Sequence, residues 1–333
     1  MESTLHTARY YRKETGGQII CELCPHRCRI KPGANGLCRV RGNRDGDLYA
    51  LSYGRIAAAH MDPIEKKPLY HFMPGQDILS IGTAGCNLRC KFCQNWTLVE
   101  ERIPAEFISP DEIVEQAVRY RSVGIAYTYN EPGIWIEYIM DCAERARRAG
   151  LKNVLVTNGF LNPAPWNDLC RAVDAMNIDL KSMDDEFYHR LCGGSLEPVL
   201  DNIRAATETC HVEVTNLIVT GENDSKPQIN AVIEFVAGIR DTIPLHFSRY
   251  FPQNKMTAPP TSPETMTWAV DEARKKLKYV YAGNIAVPDG SDTICPGCGT
   301  PLIRRNGYRT DIKGLTTAGS CAACGRPAEI ITT

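Results

Sequence analysis

The sequence predicts an α/β fold whose parallel sheet curls into an open, partial barrel, with small cysteine-rich metal-binding segments at both termini. Two observations carry this expectation. Between Ile78 and Ala282 short apolar, β-branched runs alternate with longer helical patterns, and two sets of four cysteines stand near the two chain ends. Six or seven strand–helix units are too few for a closed eight-stranded barrel, so an open one is expected. A flat doubly wound sheet is the alternative.

Strands are expected at Ile78 to Gly82, Gly124 to Tyr129, Asn153 to Thr157, Ala175 to Leu180, Val212 to Val219, Ile243 to Phe247 and Tyr279 to Ala282. Helices separate nearly all of them. Ser109-Pro110-Asp111-Glu112 places a hydroxyl at the N-cap, proline in the first turn and Glu at the third position, and Ser262-Pro263-Glu264 repeats the device. The helix from Ile134 ends in Arg147-Arg148-Ala149-Gly150, basic residues followed by glycine. These elements divide the chain into a metal-binding segment at 1–60, the barrel at 61–290 and a ribbon-like segment at 291–333.

At 43% hydrophobic and 23% charged residues over 333 positions, the composition is that of a globular protein. The first fifteen residues lack the apolar core of a signal peptide, and no run approaches 18 consecutive apolar residues, so a soluble, cytoplasmic protein is expected. A net charge of −1 argues against bulk attraction to nucleic acid or membrane. The charge is uneven: residues 1–50 hold nine Lys/Arg against five Asp/Glu, and residues 295–333 hold five against two. Basic residues beside thiolate sites offset the negative field of the metal centre; a surface for an acidic partner is the other reading.

Fifteen cysteines in a reducing compartment imply metal binding. Eleven of them fall into three groups. Cys86, Cys90 and Cys93 follow the first expected strand with x3 and x2 spacing. Three thiolates hold three irons of a [4Fe-4S] cluster and leave the fourth open to an added ligand. A structural zinc would need a fourth donor, and the nearest, His71, lies upstream of the strand. Cys295, Cys298, Cys321 and Cys324 form paired knuckles, the pattern of a structural zinc ribbon, with rubredoxin-like iron or a cluster as the alternative. Cys21, Cys24, Cys28 and Cys38 also number four, so they close either a zinc or an auxiliary [4Fe-4S] cluster. Cys142, Cys170, Cys192 and Cys210 are scattered and read as buried small hydrophobes.

The Cys-x3-Cys-x2-Cys loop, with the aromatic Phe92 before its last cysteine, resembles the signature of the radical S-adenosylmethionine (SAM) superfamily. The resemblance implies a (β/α)6 partial barrel. It also implies SAM chelated to the open iron and cleaved by one electron to a 5′-deoxyadenosyl radical, oxygen-sensitive chemistry that ends in hydrogen abstraction from a substrate. The cofactors carry that chemistry and the protein positions them.

In such a fold the site gathers at the carboxyl ends of the strands. The second strand ends in Tyr129-Asn130-Glu131-Pro132, similar to the Gly-Gly-Glu-Pro loop that binds the SAM amino group; Glu131 matches, while Tyr129 and Asn130 replace the glycines. The third ends in Val156-Thr157-Asn158-Gly159, similar to the Asp-Thr-Asn-Gly of glycyl-radical-enzyme activases, with Val156 in place of the aspartate. The fourth ends in Asp179-Leu180-Lys181, which matches those activases. The resemblance thus implies SAM contacts from Glu131, Thr157, Asn158, Asp179 and Lys181, with Asn216 a weaker candidate. An internal Asp179 to Lys181 pair is the structural alternative. His246, Arg249 and Tyr250 would line the substrate side, His246 being read as a core histidine first and an acid–base group second.

Cys21-Glu-Leu-Cys-Pro-His-Arg-Cys28, the run Asp62 to Phe72, Cys93-Gln-Asn-Trp96, Thr128-Tyr-Asn-Glu-Pro132 and the carboxyl-terminal knuckles together resemble the radical SAM enzyme of the AmmeMemoRadiSam system. That resemblance implies Memo-like and AMMECR-like partners and a reductase such as flavodoxin or ferredoxin, and it names no substrate. Glu65, Lys66 and Lys67 face that substrate or form a solvated turn. A glycyl-radical activase acting on a protein glycine is the second reading. A nucleic-acid-binding or electron-carrier protein built on metal knuckles is the third, and it has no use for Glu131, Asp179 and Lys181 at successive strand ends.

Overall fold

Each strand of the central sheet lies beside its neighbours in the chain, which makes the topology simple to derive. The strands are β1 (Ala58–Pro63), β2 (Asp77–Gly82), β3 (Gly124–Tyr127), β4 (Lys152–Thr157), β5 (Ala175–Asp179), β6 (His211–Ile218), β7 (Leu245–Arg249) and β8 (Val280–Gly283). β2 to β8 are parallel, and β1 pairs antiparallel with β2 as an edge strand. The computed structural model describes residues 5–100 and 103–333, so the first four residues of the polar amino-terminal stretch and residues 101–102 lie outside it.

Six helices fill the crossovers: α1 (Pro110–Arg119), α2 (Ile136–Arg148), α3 (Pro163–Ala172), α4 (Glu197–Thr207), α5 (Lys226–Ile239) and α6 (Pro263–Ala273). Right-handed crossovers that all step in one direction place their helices on one face of the sheet. Ile81, Ile125, Leu155, Ile178, Val214 and Phe247 are buried in the core that includes those helices, each worth about 2 kcal/mol relative to exposure. α1 starts with the expected capping box: Ser109 Oγ accepts from the Glu112 amide and Glu112 accepts from the Ser109 amide. α6 achieves only half of it. Its third position is Thr265, whose amide donates to Ser262 Oγ at 3.1 Å.

The opposite, inner face of the sheet has two halves. Ile78, Ala126, Val154 and Ala175 pack against Ile64, Leu69 and Phe72 of the segment that follows β1. From β5 to β8 the inner row is polar: Asn177 pairs in register with Glu213, Thr215 with His246, and His246 with Tyr281. Buried polar groups must be hydrogen-bonded, and here the segment after β1 supplies partners. Glu213 Oε1 accepts from the Tyr70 and His71 amides at 2.8 and 2.7 Å and contacts His211 Nε2 at 3.0 Å, while its Oε2 meets His246 Nε2 at 2.6 Å. Burial opposes its charge, yet bonding to His211 and His246 holds the carboxyl well below its ordinary range.

The carboxyl-terminal segment seals this lower end, the amino ends of the strands. Backbone bonds join Met73 to Ile331 and Ile331 to His71. Arg305, fully buried, lies over the Tyr70 ring at 4.2 Å and pairs with buried Glu65 at 3.5 Å. Six small strands among the described residues of the amino-terminal segment (Tyr11–Lys13, Ile19–Cys21, Arg29–Ile30, Arg41–Arg44, Asp47–Ala50 and Arg55–Ile56) precede the sheet. That segment is tied to α2 by the buried pair Arg41–Glu137, 3.0 Å apart.

All seven expected strands are present. The second stops at Tyr127 rather than Tyr129, because Tyr129 turns the chain with φ +72°. The sixth starts two residues later than expected. β1 was not expected from sequence: Ala58-Ala-His-Met-Asp-Pro63 has neither the β-branched content nor the apolar alternation of a strand, and its pairing with β2 creates it.

Candidate functional site

Directly after β2 the chain enters the loop of Cys86, Cys90 and Cys93, which neighbouring strand ends hold from several sides. Arg89 and Lys91 donate backbone hydrogens to the carbonyls of Cys192 and Leu191, at 2.8 and 2.9 Å. Asn130 Nδ2 donates to the Gly85 carbonyl at 2.9 Å, and Asn95 Nδ2 to the Tyr129 carbonyl at 2.7 Å. Leu88 and Phe92 are buried, with the Phe92 ring 5.7 Å from that of Phe187. The loop is therefore fixed before any ligand arrives.

Donors converge on the sulfur of Cys86. The Leu88 amide lies 3.3 Å from it and Asn158 Nδ2 3.7 Å. Burial pushes the Cys86 thiol well above its usual range, and nearby Glu131 pushes it further. Cys90 differs: a hydrogen bond from Cys192 holds its thiol below the usual value despite burial. In the sequence Cys192 is one of the scattered cysteines, and its spacing from the triad gives no signal. The turn Tyr188–Cys192 brings it there.

Glu131 is buried and bound by three donors. Its Oε1 accepts from the Gly133 amide and from Thr157 Oγ1, both at 2.8 Å, and its Oε2 from the Asn158 amide at 2.8 Å. Burial nevertheless dominates and raises its pKa to about 7. Two carboxylate oxygens offer about four acceptor directions, so one remains for a cation. Tyr129, where the resembling loop has glycine, keeps the left-handed conformation that glycine would adopt, at a cost of about 1 kcal/mol. Its hydroxyl donates to Asp62 at 2.6 Å, and Asp62 also accepts from Lys66 and Lys67. Lys67 is buried and its pKa is lowered to about 8 by desolvation. Lys67 is thus no solvated turn residue, and Asp62 is its partner.

Asp179 and Lys181 form an ion pair at 3.1 Å. Burial disfavours the Lys181 charge, but Asp179, Cys90 and Cys192 raise its pKa well above normal, which places it beside the cysteine loop. Asn216 donates its amide hydrogens to the carbonyls of Leu180 at 2.7 Å and Lys181 at 3.3 Å, so it fastens this turn. Thr157 and Asn158 meet Glu131 and Cys86, as described.

His246, Arg249 and Tyr250 stand apart from this group. His246 belongs to the buried Glu213 network, Arg249 Nε donates to the Thr261 carbonyl at 2.7 Å, and the Tyr250 amide donates to Thr261 Oγ1 at 3.0 Å. Asn87 was not expected. Its Nδ2 donates to the Phe160 carbonyl at 2.6 Å while its Oδ1 accepts from Asn158. Its position directly behind Cys86 was the available signal.

The two terminal cysteine sets differ. Among the described residues, only the ligand atoms of Cys295, Cys298, Cys321 and Cys324 all gather within 4.8 Å of one another. Cys21, Cys24, Cys28 and Cys38 instead line a small chamber together with His26, Arg41 and Asn87. Among the described residues no cysteine is joined in a disulfide, and no helix is long and apolar enough to cross a membrane.

Residues 80–236 match the profile of the radical SAM superfamily. An uncharacterized protein of Methanocaldococcus jannaschii is 42% identical, over 98% of this chain and all of its own length. The pyruvate formate-lyase 1-activating enzyme of Escherichia coli K12 is 24% identical over 45% of this chain, which spans 65% of that enzyme. Among solved structures, SuiB of Streptococcus suis superposes with a TM-score of 0.50 at 13% identity, over 66% of this chain and 52% of SuiB.

Proposed function

The chain belongs to the radical SAM superfamily, and we propose that it is the AmmeMemoRadiSam-type member, abstracting hydrogen from a substrate within a partial barrel. The family implies a [4Fe-4S] cluster and SAM. The donor set fits: three thiols share one anchored loop, and an amide hydrogen and the Asn158 side chain point to the Cys86 sulfur, as hydrogen bonds to cluster thiolates do. When bound, these cofactors supply a 5′-deoxyadenosyl radical. Cys86, Cys90 and Cys93 would ligate the cluster. Glu131 would take the SAM ammonium on its remaining acceptor direction, with Thr157 and Asn158 fixing the carboxylate. Asp179 and Lys181 would take polar groups of the same ligand, and the buried wall around Leu88 and Phe92 would keep water away from the loop.

The single observation that carries this reading is the joining of two neighbouring strand ends beside the cysteine loop: Thr157 and the Asn158 amide hold Glu131, and the Asn158 side chain reaches the Cys86 sulfur. Fifteen cysteines with no disulfide among them fit a reducing, cytoplasmic compartment. The carboxyl-terminal knuckles are read as zinc: their sulfurs stand 3.6 and 3.7 Å apart, near the ~3.8 Å edge of a tetrahedron with Zn–S of about 2.3 Å. Memo-like and AMMECR-like proteins and a flavodoxin or ferredoxin remain the proposed partners. The likeness to a pyruvate formate-lyase activating enzyme favours a glycyl-radical activase as the second reading.

Anaerobic reconstitution with iron and sulfide, followed by SAM and a reductant, tests the proposal. The wild type should form 5′-deoxyadenosine and the Cys90→Ala variant none above background. Absence of the nucleoside from wild type that carries its cluster overturns the reading.

A further inference from the structure

The amino-terminal cysteines have the wrong spacing for the metal that suits the carboxyl-terminal ones. A single tetrahedral zinc needs its sulfurs about 3.8 Å apart, which the carboxyl-terminal set provides. No three of Cys21, Cys24, Cys28 and Cys38 lie within 4.8 Å of one another, and the same holds for the triad Cys86, Cys90 and Cys93. A [4Fe-4S] cube spreads its thiolates, because each caps a different iron. By spacing, the amino-terminal set belongs with the triad.

Its surroundings agree. Arg41, only 1% exposed, lines the chamber, and its Nε has no hydrogen-bond partner among the described residues although its other nitrogens are bound. A buried unpartnered donor costs free energy unless an acceptor arrives, and a thiolate-bound cluster brings negative charge and acceptor sulfurs. The void between the thiols is small, about 10 Å³, roughly one water. Leu37, on its wall, is 46% exposed.

The chamber abuts the triad loop. His26 Nε2 lies 2.8 Å from the Asn87 carbonyl, Arg89 donates to the Leu37 carbonyl at 3.3 Å, and a side chain at Gly85 would meet the Cys38 carbonyl at 2.5 Å. Arg27, Lys31 and Arg39 are exposed on the surrounding segment. That is a cationic face over a metal chamber, one residue from a cluster ligand.

We propose that Cys21, Cys24, Cys28 and Cys38 hold a second [4Fe-4S] cluster, and that it is where the electron enters from an acidic, low-potential one-electron carrier protein. The carrier loses one electron, the chamber site takes it up, and the same electron passes to the neighbouring triad site. This rests on the radical SAM reading for its acceptor, while the metal assignment stands by itself.

Iron, sulfide and zinc counts after anaerobic reconstitution test it. The wild type should hold about eight irons and one zinc, and the Cys86→Ala/Cys90→Ala/Cys93→Ala variant about four irons with a cluster signal on reduction in electron paramagnetic resonance (EPR). A wild type with four irons and two zincs overturns the assignment, without touching the triad; that count needs no variant to fold. For the electron path, the triad site of a Cys24→Ala/Cys28→Ala variant should be reduced at least about tenfold more slowly than wild type by reduced flavodoxin, and equally fast by dithionite. Equal rates with flavodoxin overturn the entry role.

Discussion

Glu213 and Glu131 are both buried carboxylates on the parallel sheet, and they live under opposite conditions. Glu213, near the amino ends of the strands, is surrounded by two imidazoles and two backbone amides, which keep it ionised. Glu131, at the carboxyl ends, has three neutral donors, and burial lifts its pKa to about 7. A carboxylate already paired has nothing left to bind. One held in place yet short of a cation is prepared to receive it. The lower end therefore supplies stability, and the upper end supplies a site.

The largest test of that contrast is Arg305→Met. Removing the guanidinium strands buried Glu65 without its cation and should cost about 3–5 kcal/mol in denaturant unfolding, while 5′-deoxyadenosine formation per folded molecule changes less than about twofold. A variant that keeps its stability but loses the reaction would reverse the roles of the two ends.

His71 gives a smaller effect with a pH signature. Burial lowers its pKa to about 3, so the folded state keeps it neutral while the unfolded chain protonates it below about pH 6.5. Its contribution is complete above pH 6.5 and is lost as pH falls. Between pH 6.5 and 4.5 that amounts to about 2 kcal/mol. Glu213 does not confuse this window, since a depressed carboxylate loses its contribution only below about pH 4.5. Unfolding measured across the window should show a shallower slope in His71→Asn; parallel slopes would remove His71 from the account.

At the upper end, Glu131→Gln should weaken SAM binding about tenfold, or ~1.4 kcal/mol, with stability altered by about 1 kcal/mol or less. Calorimetric titration checks it. Unchanged affinity with a larger loss of stability would make Glu131 a strut and nothing more.

Much of this layout was legible because it is written in local pattern. Strands β2 to β8 are short apolar runs between longer helical patterns, two of them opened by a Ser-Pro cap, and the cysteine sets declare themselves by spacing. What was not legible depends on contacts between distant segments. Nothing around Cys192 indicates that it meets Cys90, and Ala58–Pro63 becomes a strand only against β2. Lys67 reads in sequence as substrate-facing or as part of a solvated turn, and it is buried because the segment after β1 runs under the sheet. His246 reads as a core histidine first and an acid–base group second, and Glu213, on the adjacent strand, is the partner that its own sequence neighbourhood does not show. The amino-terminal cysteines show the limit most clearly: four thiols in a row are compatible with zinc or a cluster, and their sequence spacing does not choose between the two.

The central claim is that Cys86, Cys90 and Cys93 hold a cluster to which SAM binds. EPR of the reduced Cys24→Ala/Cys28→Ala variant, recorded before and after addition of SAM, tests it most directly, because any cluster signal then comes from the triad alone. A spectrum whose g-values shift on adding SAM is the predicted result. A cluster signal that SAM leaves unchanged would contradict the account.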